Sequence, residues 1–174
     1  MMKSEIYVCL LVACLFSFVF ASCSTQTIYL VRHAEKDTVQ KNDPPLTTAG
    51  RQRAEDLAVL LRHQPVSGIY STHFVRTLAT AQPTAVEHHL NITLYDSIPQ
   101  LTALLSAQKN KTVLVTGHSN TIIPIAKALG TQPHKTVIGD NEFDNLFIIR
   151  STHFLWLKSR KLQETTYGNP SMPH

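Results

Sequence analysis

Two kinds of apolar pattern alternate along this chain. Short runs rich in β-branched and aromatic residues, each stopped by polar or turn residues, read as strands: Gln26–Val31, Gly68–Ser71, Ile92–Tyr95, Thr112–Thr116, Leu146–Arg150 and Phe154–Lys158. Between them lie segments with helical spacing. Ala54, Leu57, Ala58 and Leu61 follow Thr47, a residue suited to the N-cap. A second helix is predicted over Phe74–His89, with Leu78, Ala81, Ala85 and Val86 on its buried face and a kink or restart at Pro83. Shorter helices are predicted over Gln100–Ser106 and over Thr121–Leu129, the latter closed by Gly130. The last two strands read as antiparallel neighbours at the sheet edge, and the polar tail from Thr165 as loose. Strands alternating with helices predict an α/β fold, a three-layer α/β/α sandwich on a mostly parallel sheet, in one domain.

The first residues follow a different pattern. Lys3 precedes a nearly unbroken apolar run, Ile6–Phe20, of signal-peptide length, and Ala21-Ser22-Cys23-Ser24 supplies small residues after it. Phe20-Ala21-Ser22-Cys23 resembles a bacterial lipoprotein box, in which Cys23 would be the lipidated first residue of the mature chain. Simple secretion and a retained membrane anchor are the alternatives. All three readings place residues 1–22 in a targeting segment, residues 23–174 in the working domain, and that domain outside the cytoplasm, in the periplasm or cell envelope.

Composition narrows the chemistry. The 174 residues are 43% hydrophobic, enough for a packed core, and the formal charge of +4 comes from scattered Lys and Arg rather than from a stripe suited to nucleic acid. Cys9, Cys14 and Cys23 are the only cysteines. The body of the chain therefore offers no disulfide framework, no thiolate zinc site and no cysteine nucleophile.

Three predicted strands end in residues of a particular kind: Arg32-His33, then Thr72-His73 with Arg76 a turn later, then Gly117-His118. In a parallel sheet such ends converge on one edge. Two guanidiniums can clamp phosphate oxygens there, while one neutral imidazole attacks phosphorus and another hydrogen-bonds it. This chemistry calls for no metal and no cofactor. The other histidines lack metal-ligand spacing: His88 and His89 are adjacent, and no His-Glu-x-x-His occurs.

The residues around these strand ends also resemble a known family. Leu30-Val31-Arg32-His33-Ala34-Glu35 is similar to the Arg-His-Gly motif of the histidine phosphatase superfamily, the phosphoglycerate mutase-like proteins, with Ala34 where glycine is usual. Leu46–Ala54 is similar to that family's Leu-Thr-x-x-Gly-x-x-x-Ala segment. Ser71–Ala81 is similar to its Ser-Pro-Leu-x-Arg-Thr-x-x-Thr-Ala segment, with His73 in place of proline, and Val113–Asn120 to its second-histidine segment. The resemblance implies a phosphoglycerate mutase-like fold and a phosphohistidine mechanism. His33 would be the nucleophile, Arg32 and Arg76 the phosphate clamps, and His118 the second pocket histidine. Ser119, Asn120 and Glu35 are candidate substrate-binding residues, Glu35 alternatively orienting its loop or pairing with Lys36.

A general acid is harder to find. Ser119 stands where some members place an aspartate, leaving Asp96, Glu142 and Asp144 as candidates, with Asp140 in the same acidic turn as the last two. The expected activity is that of an exported, metal-independent phosphomonoesterase acting on a phosphorylated small molecule, envelope sugar phosphates among the candidates. The specificity loops are expected at Lys36–Pro45 and Asp96–Leu104. Protein phosphohistidine phosphatase activity is one alternative, and a catalytically weak lipoprotein that binds phosphate ligands is the other.

Overall fold

The structure, a computed structural model, describes residues 24–154 and 156–171. The apolar leader and Cys23 lie outside them. The elements in chain order are β1 (Ser24–Arg32), α1 (Thr48–Leu61), β2 (Val66–Ser71), α2 (Val75–Glu87), β3 (Ile92–Leu94), α3 (Ile98–Ser106), β4 (Thr112–Gly117), α4 (Ser119–Ala128), β5 (Asn145–Phe154) and β6 (Leu157–Thr166). They build one six-stranded sheet in the order β3-β2-β4-β1-β5-β6. The first four strands of the chain run parallel, and β5 and β6 are antiparallel additions beside β1.

The near-continuous apolar character of β1 follows from its central place, since both faces of the sheet are covered. Alternate residues point to opposite faces. Ile28 and Leu30 enter the core shared with α3 and α4, while Tyr29 and Val31 enter the core shared with α1 and α2. β5 divides likewise, Phe147 and Ile149 on one side, Leu146 and Ile148 on the other. The three-layer α/β/α architecture expected from the pattern is the one observed.

Several elements differ from expectation. α2 runs through Pro83 without a restart. Its buried face is formed by Thr77, Thr80, Ala81, Thr84 and Ala85, while Val86 is exposed and Leu78 only partly buried. Two of its three hydroxyls bond to backbone in their own vicinity: Thr77 Oγ1 lies 2.9 Å from the Phe74 carbonyl, and Thr80 Oγ1 lies 2.7 Å from that of Arg76, while Thr84 Oγ1 is buried without a partner. The final strands are longer than expected, and Phe154 and Leu157, read as one strand, belong to different strands and pair with each other. β5 and β6 are antiparallel neighbours at the sheet edge, as expected, with β6 outermost. The tail is docked as well: Tyr167 is buried in the core, and the Ser171 hydroxyl accepts from the backbone N–H groups of Phe143 and Asp144. Among the described residues no helix is long and apolar enough to cross a membrane.

Candidate active site

The sheet register brings the polar strand ends together. Arg32 pairs with Gly117, Ser71 pairs with Thr116, and the His33 N–H donates to the Gly117 carbonyl at 2.9 Å. His33 and His118 therefore follow adjacent strand ends, with ring centroids 5.5 Å apart. The loop leaving β1 then passes against α1, whose N-cap Thr47 accepts from the Gly50 N–H at 3.0 Å. A Cβ on Gly50 would collide with the Glu35 carbonyl oxygen. Close backbone approach explains the glycine in Leu46–Ala54.

The hydrogen bonds of His33 settle its tautomer. Nδ1 lies 2.8 Å from the Ala34 carbonyl oxygen, which can only accept, so Nδ1 carries the proton and Nε2 keeps its lone pair. The Ala34 N–H is in turn held by Thr80 Oγ1 at 2.9 Å, tying the residue after His33 to α2. Burial pushes the His33 pKa down to about 3; the charges of Arg32 and Arg76 act in the same direction, and the Ala34 carbonyl opposes them.

His118 is fixed on both sides. Nδ1 lies 3.4 Å from Arg76 Nη2 and Nε2 3.1 Å from Thr72 Oγ1. Arginine only donates, so Nδ1 accepts and Nε2–H donates into a chain from Thr72 Oγ1 to Thr77 Oγ1, 2.8 Å apart, and on to the Phe74 carbonyl. Burial, reinforced by Arg76 and Arg32, lowers its pKa to about 4. Both imidazoles are neutral at physiological pH.

The guanidiniums are positioned differently. Arg32 Nη1 donates to the carbonyls of Gly139, Asp140 and Glu142 at 2.7, 3.0 and 3.2 Å, and its guanidinium carbon sits 4.3 Å from the Phe143 ring centroid. Arg76 lies 4.4 Å from the Phe74 centroid and 3.4 Å from Asp43, whose carboxylate also receives the Val75 N–H that opens α2. The Nε atoms of both arginines are buried without a partner. Together with Lys36, they line a cavity of about 660 Å³ that also includes His33, His118, Ser119, Asn120 and Glu35. Unsatisfied guanidinium donors beside two neutral imidazoles make an anion-binding pocket.

The acidic residues lie elsewhere than expected. Glu35 lines the cavity but is paired with Arg53 rather than Lys36: Arg53 Nη2 donates to Oε1 at 2.7 Å, and Nε lies 2.9 and 3.0 Å from the two oxygens. Asp96 is outside the cavity lining, exposed and 3.5 Å from His73. Glu142 faces Lys135 and the Gly139 N–H, and Asp144 accepts from the Ser171 N–H; neither carboxylate lines the cavity. Asp140 does, at the rim. The segment Asp96–Leu104 takes no part in the lining, whereas Lys36 and Thr38 do. Among the described residues no group of three or more His, Cys, Asp and Glu side chains could hold a metal ion.

Pattern alone missed Asp43, Phe74, Arg53 and Phe143, and placed Thr72 at a strand end without its bond to His118. The buried threonines carried a trace in the Arg-Thr-x-x-Thr-Ala segment. Asp43 was hidden in the turn Asn42-Asp43-Pro44-Pro45, and Phe143 reaches the site from more than a hundred residues along the chain, with no local signal.

Residues 28–99 match the histidine phosphatase superfamily (branch 1). The match spans 72 of the 174 residues, and over that stretch the chain is similar to the superfamily. Solved structures of the same fold include mycobacterial glucosyl-3-phosphoglycerate phosphatase, at 14% identity and TM-score 0.64, covering 80% of this chain and 97% of that one. The protein histidine phosphatase SixA complexed with tungstate matches at 18% identity and TM-score 0.62, over 80% of this chain and 96% of the other. SixA from Nakamurella multipartitia matches at 23% identity and TM-score 0.58, over 84% and 96%. A comparison with curated proteins finds no match. The pocket of this chain holds the residue types that phosphatase chemistry needs.

Proposed function

We propose that this protein is a histidine phosphatase, an exported, metal-independent phosphomonoesterase that works through a phosphohistidine at His33. The observation that carries the reading is the His33 Nδ1–H bond to the Ala34 carbonyl, which leaves the Nε2 lone pair for attack. Arg32 and Arg76 hold the phosphate oxygens, and Ser119 and Asn120 border the same cavity. As the phosphoryl group approaches, its negative charge raises the basicity of His118, which then favours donating a hydrogen bond to an equatorial oxygen. Nε2 forms a bond to phosphorus while the phosphorus–oxygen bond of the ester breaks. The departing alkoxide takes a proton, and water then transfers the phosphoryl group to itself, restoring neutral His33. Asp140, the rim carboxylate with no charged partner among the described residues, is the proton donor we assign.

The substrate's other half points to a polyhydroxylated small molecule. A second cavity of about 470 Å³ shares Glu35, Asn141 and Phe143 with the first and adds Gln52, Asp56 and Asn169. Amides and carboxylates beside an aromatic face suit hydroxyl groups on an apolar ring, so a sugar phosphate fits better than a phosphorylated protein side chain. One neighbour by fold is named as a phosphatase of glucosyl-3-phosphoglycerate, and another as a protein histidine phosphatase. The second cavity favours the first kind of leaving group. The apolar run before Cys23 supports export and membrane attachment.

Turnover of p-nitrophenyl phosphate in excess EDTA tests the mechanism. Wild type is expected to be unaffected by chelation, and His33→Ala to lose on the order of 10³-fold or more. Asp140→Asn should slow hydrolysis of a sugar phosphate by about 10²-fold and barely change that of the nitrophenyl ester, whose leaving group needs no proton. Loss in EDTA, or activity surviving in His33→Ala, would sink the mechanism. Equal slowing of both esters would remove Asp140 from its role.

A further inference from the structure

The end of the sheet opposite the pocket carries a surface that phosphate chemistry does not use. β1 starts at Ser24, paired with His153, and the β5–β6 hairpin turns just beyond, where Phe154 pairs with Leu157. Trp156 is 81% exposed, Leu157 60% and Phe154 42%. Tight hairpin turns ordinarily carry Gly, Asn or Asp, so three large apolar side chains in solvent at this tip need a reason. Beside the tip is a cavity of about 190 Å³ whose lining includes Ser24, Lys109, His153, Lys158 and Arg160, and no carboxylate. No ion pair engages Lys109, Lys158 or Arg160 among the described residues. The sequence explains this, because neither 97–139 nor 145–163 contains an Asp or Glu.

We propose that this end docks on a bilayer containing anionic phospholipids, with Phe154, Trp156 and Leu157 at the interface and Lys109, Lys158 and Arg160 on headgroup phosphates. Tryptophan favours the membrane–water boundary, and clustered lysines favour an anionic one. The occupant is chosen by where the chain enters the fold: Ser24 directly follows Cys23 and the apolar run Ile6–Phe20. Attachment through that segment, on which this proposal rests, brings this end of the domain to the bilayer. The nine residues of β1, at about 3.3 Å each, then set the phosphate pocket roughly 30 Å from the surface. That geometry selects substrates free in the aqueous phase over lipids of the same membrane.

Trp156 is the only tryptophan in the chain, so its fluorescence reports this tip alone. Full-length protein is reconstituted with phosphatidylcholine vesicles, with or without phosphatidylglycerol, and quenched with brominated acyl chains. Docking predicts a blue-shifted emission and at least twofold stronger quenching in the anionic vesicles. The double variant Lys109→Glu/Lys158→Glu should reduce quenching to the neutral-vesicle value while p-nitrophenyl phosphate turnover stays unchanged. Protein that sediments with vesicles but shows no quenching keeps the attachment and overturns the docking. Failure to sediment overturns both. A blue shift that grows with protein concentration in the absence of lipid makes the tip a contact between copies, which also overturns the proposal.

Discussion

His33 can serve as a nucleophile because one hydrogen bond fixes where its proton is. Burial and two neighbouring guanidiniums keep the ring neutral, and the Ala34 carbonyl keeps its lone pair on Nε2. The same burial has a cost in acid. With folded pKa values near 3 for His33 and 4 for His118, against about 6.5 in the unfolded chain, the unfolded state binds more protons throughout that window. Stability is therefore full above about pH 6.5 and falls as pH drops toward 4. Inorganic phosphate should counteract the loss, because its charge favours the protonated ring in the folded state. Nitrogen-detected NMR of the imidazoles, with thermal unfolding between pH 7.5 and 4.5, measures both effects. Rings that titrate near 6.5, or stability that rises on acidification, would contradict the stated environment.

At the scale of elements, two carboxylates missing from the catalytic list hold the site through its loops. Glu35 joins the loop after β1 to Arg53 of α1, and Arg53 Nη1 continues to the Tyr167 carbonyl at 3.0 Å, so this pair locks the loop, the helix and the tail together. Asp43 instead joins its loop to the start of α2 and to Arg76. The two should fail differently. Glu35→Gln leaves a nearly buried guanidinium short of its counter-charge and should cost about 3 kcal/mol, with kcat/KM changed less than about tenfold. Asp43→Ala removes an exposed helix cap and should cost about 1 kcal/mol, yet raise KM about tenfold by releasing Arg76. Thermal unfolding and steady-state kinetics on both variants separate these signatures; reversed patterns would exchange their assignments. The strand ends that carry Arg32, His33 and His118 were legible in the sequence because a short apolar run stopping at a charge is a local signal. The loop contacts were not. Asp43, Phe143 and the carbonyls of 139–142 meet the site only through tertiary placement, and the threonine face of α2 defeats a reading based on apolar spacing.

Across the whole molecule, the sheet separates two ends with different chemistry. Parallel strands β1, β2 and β4 direct their carboxyl ends, and with them the cations and imidazoles, to the phosphate pocket. The N-terminal end of β1 meets the hairpin tip and a cavity lined by Lys109 and Lys158. The parallel core was readable from alternating strand and helix patterns, whereas the long β5–β6 hairpin was read too short because its edge strand is mostly polar: β6 is LKSRKLQETT, with a single partly buried apolar position near its middle. The central claim, attack by His33, is tested most directly by rapid acid-free quenching of the enzyme during turnover of a phosphorus-32-labelled monoester, followed by peptide mapping. The account predicts a covalent label that is stable in alkali, lost in acid, carried by the His33 peptide and absent from His33→Ala. A label on another residue, or an active enzyme that never acquires one, would contradict it.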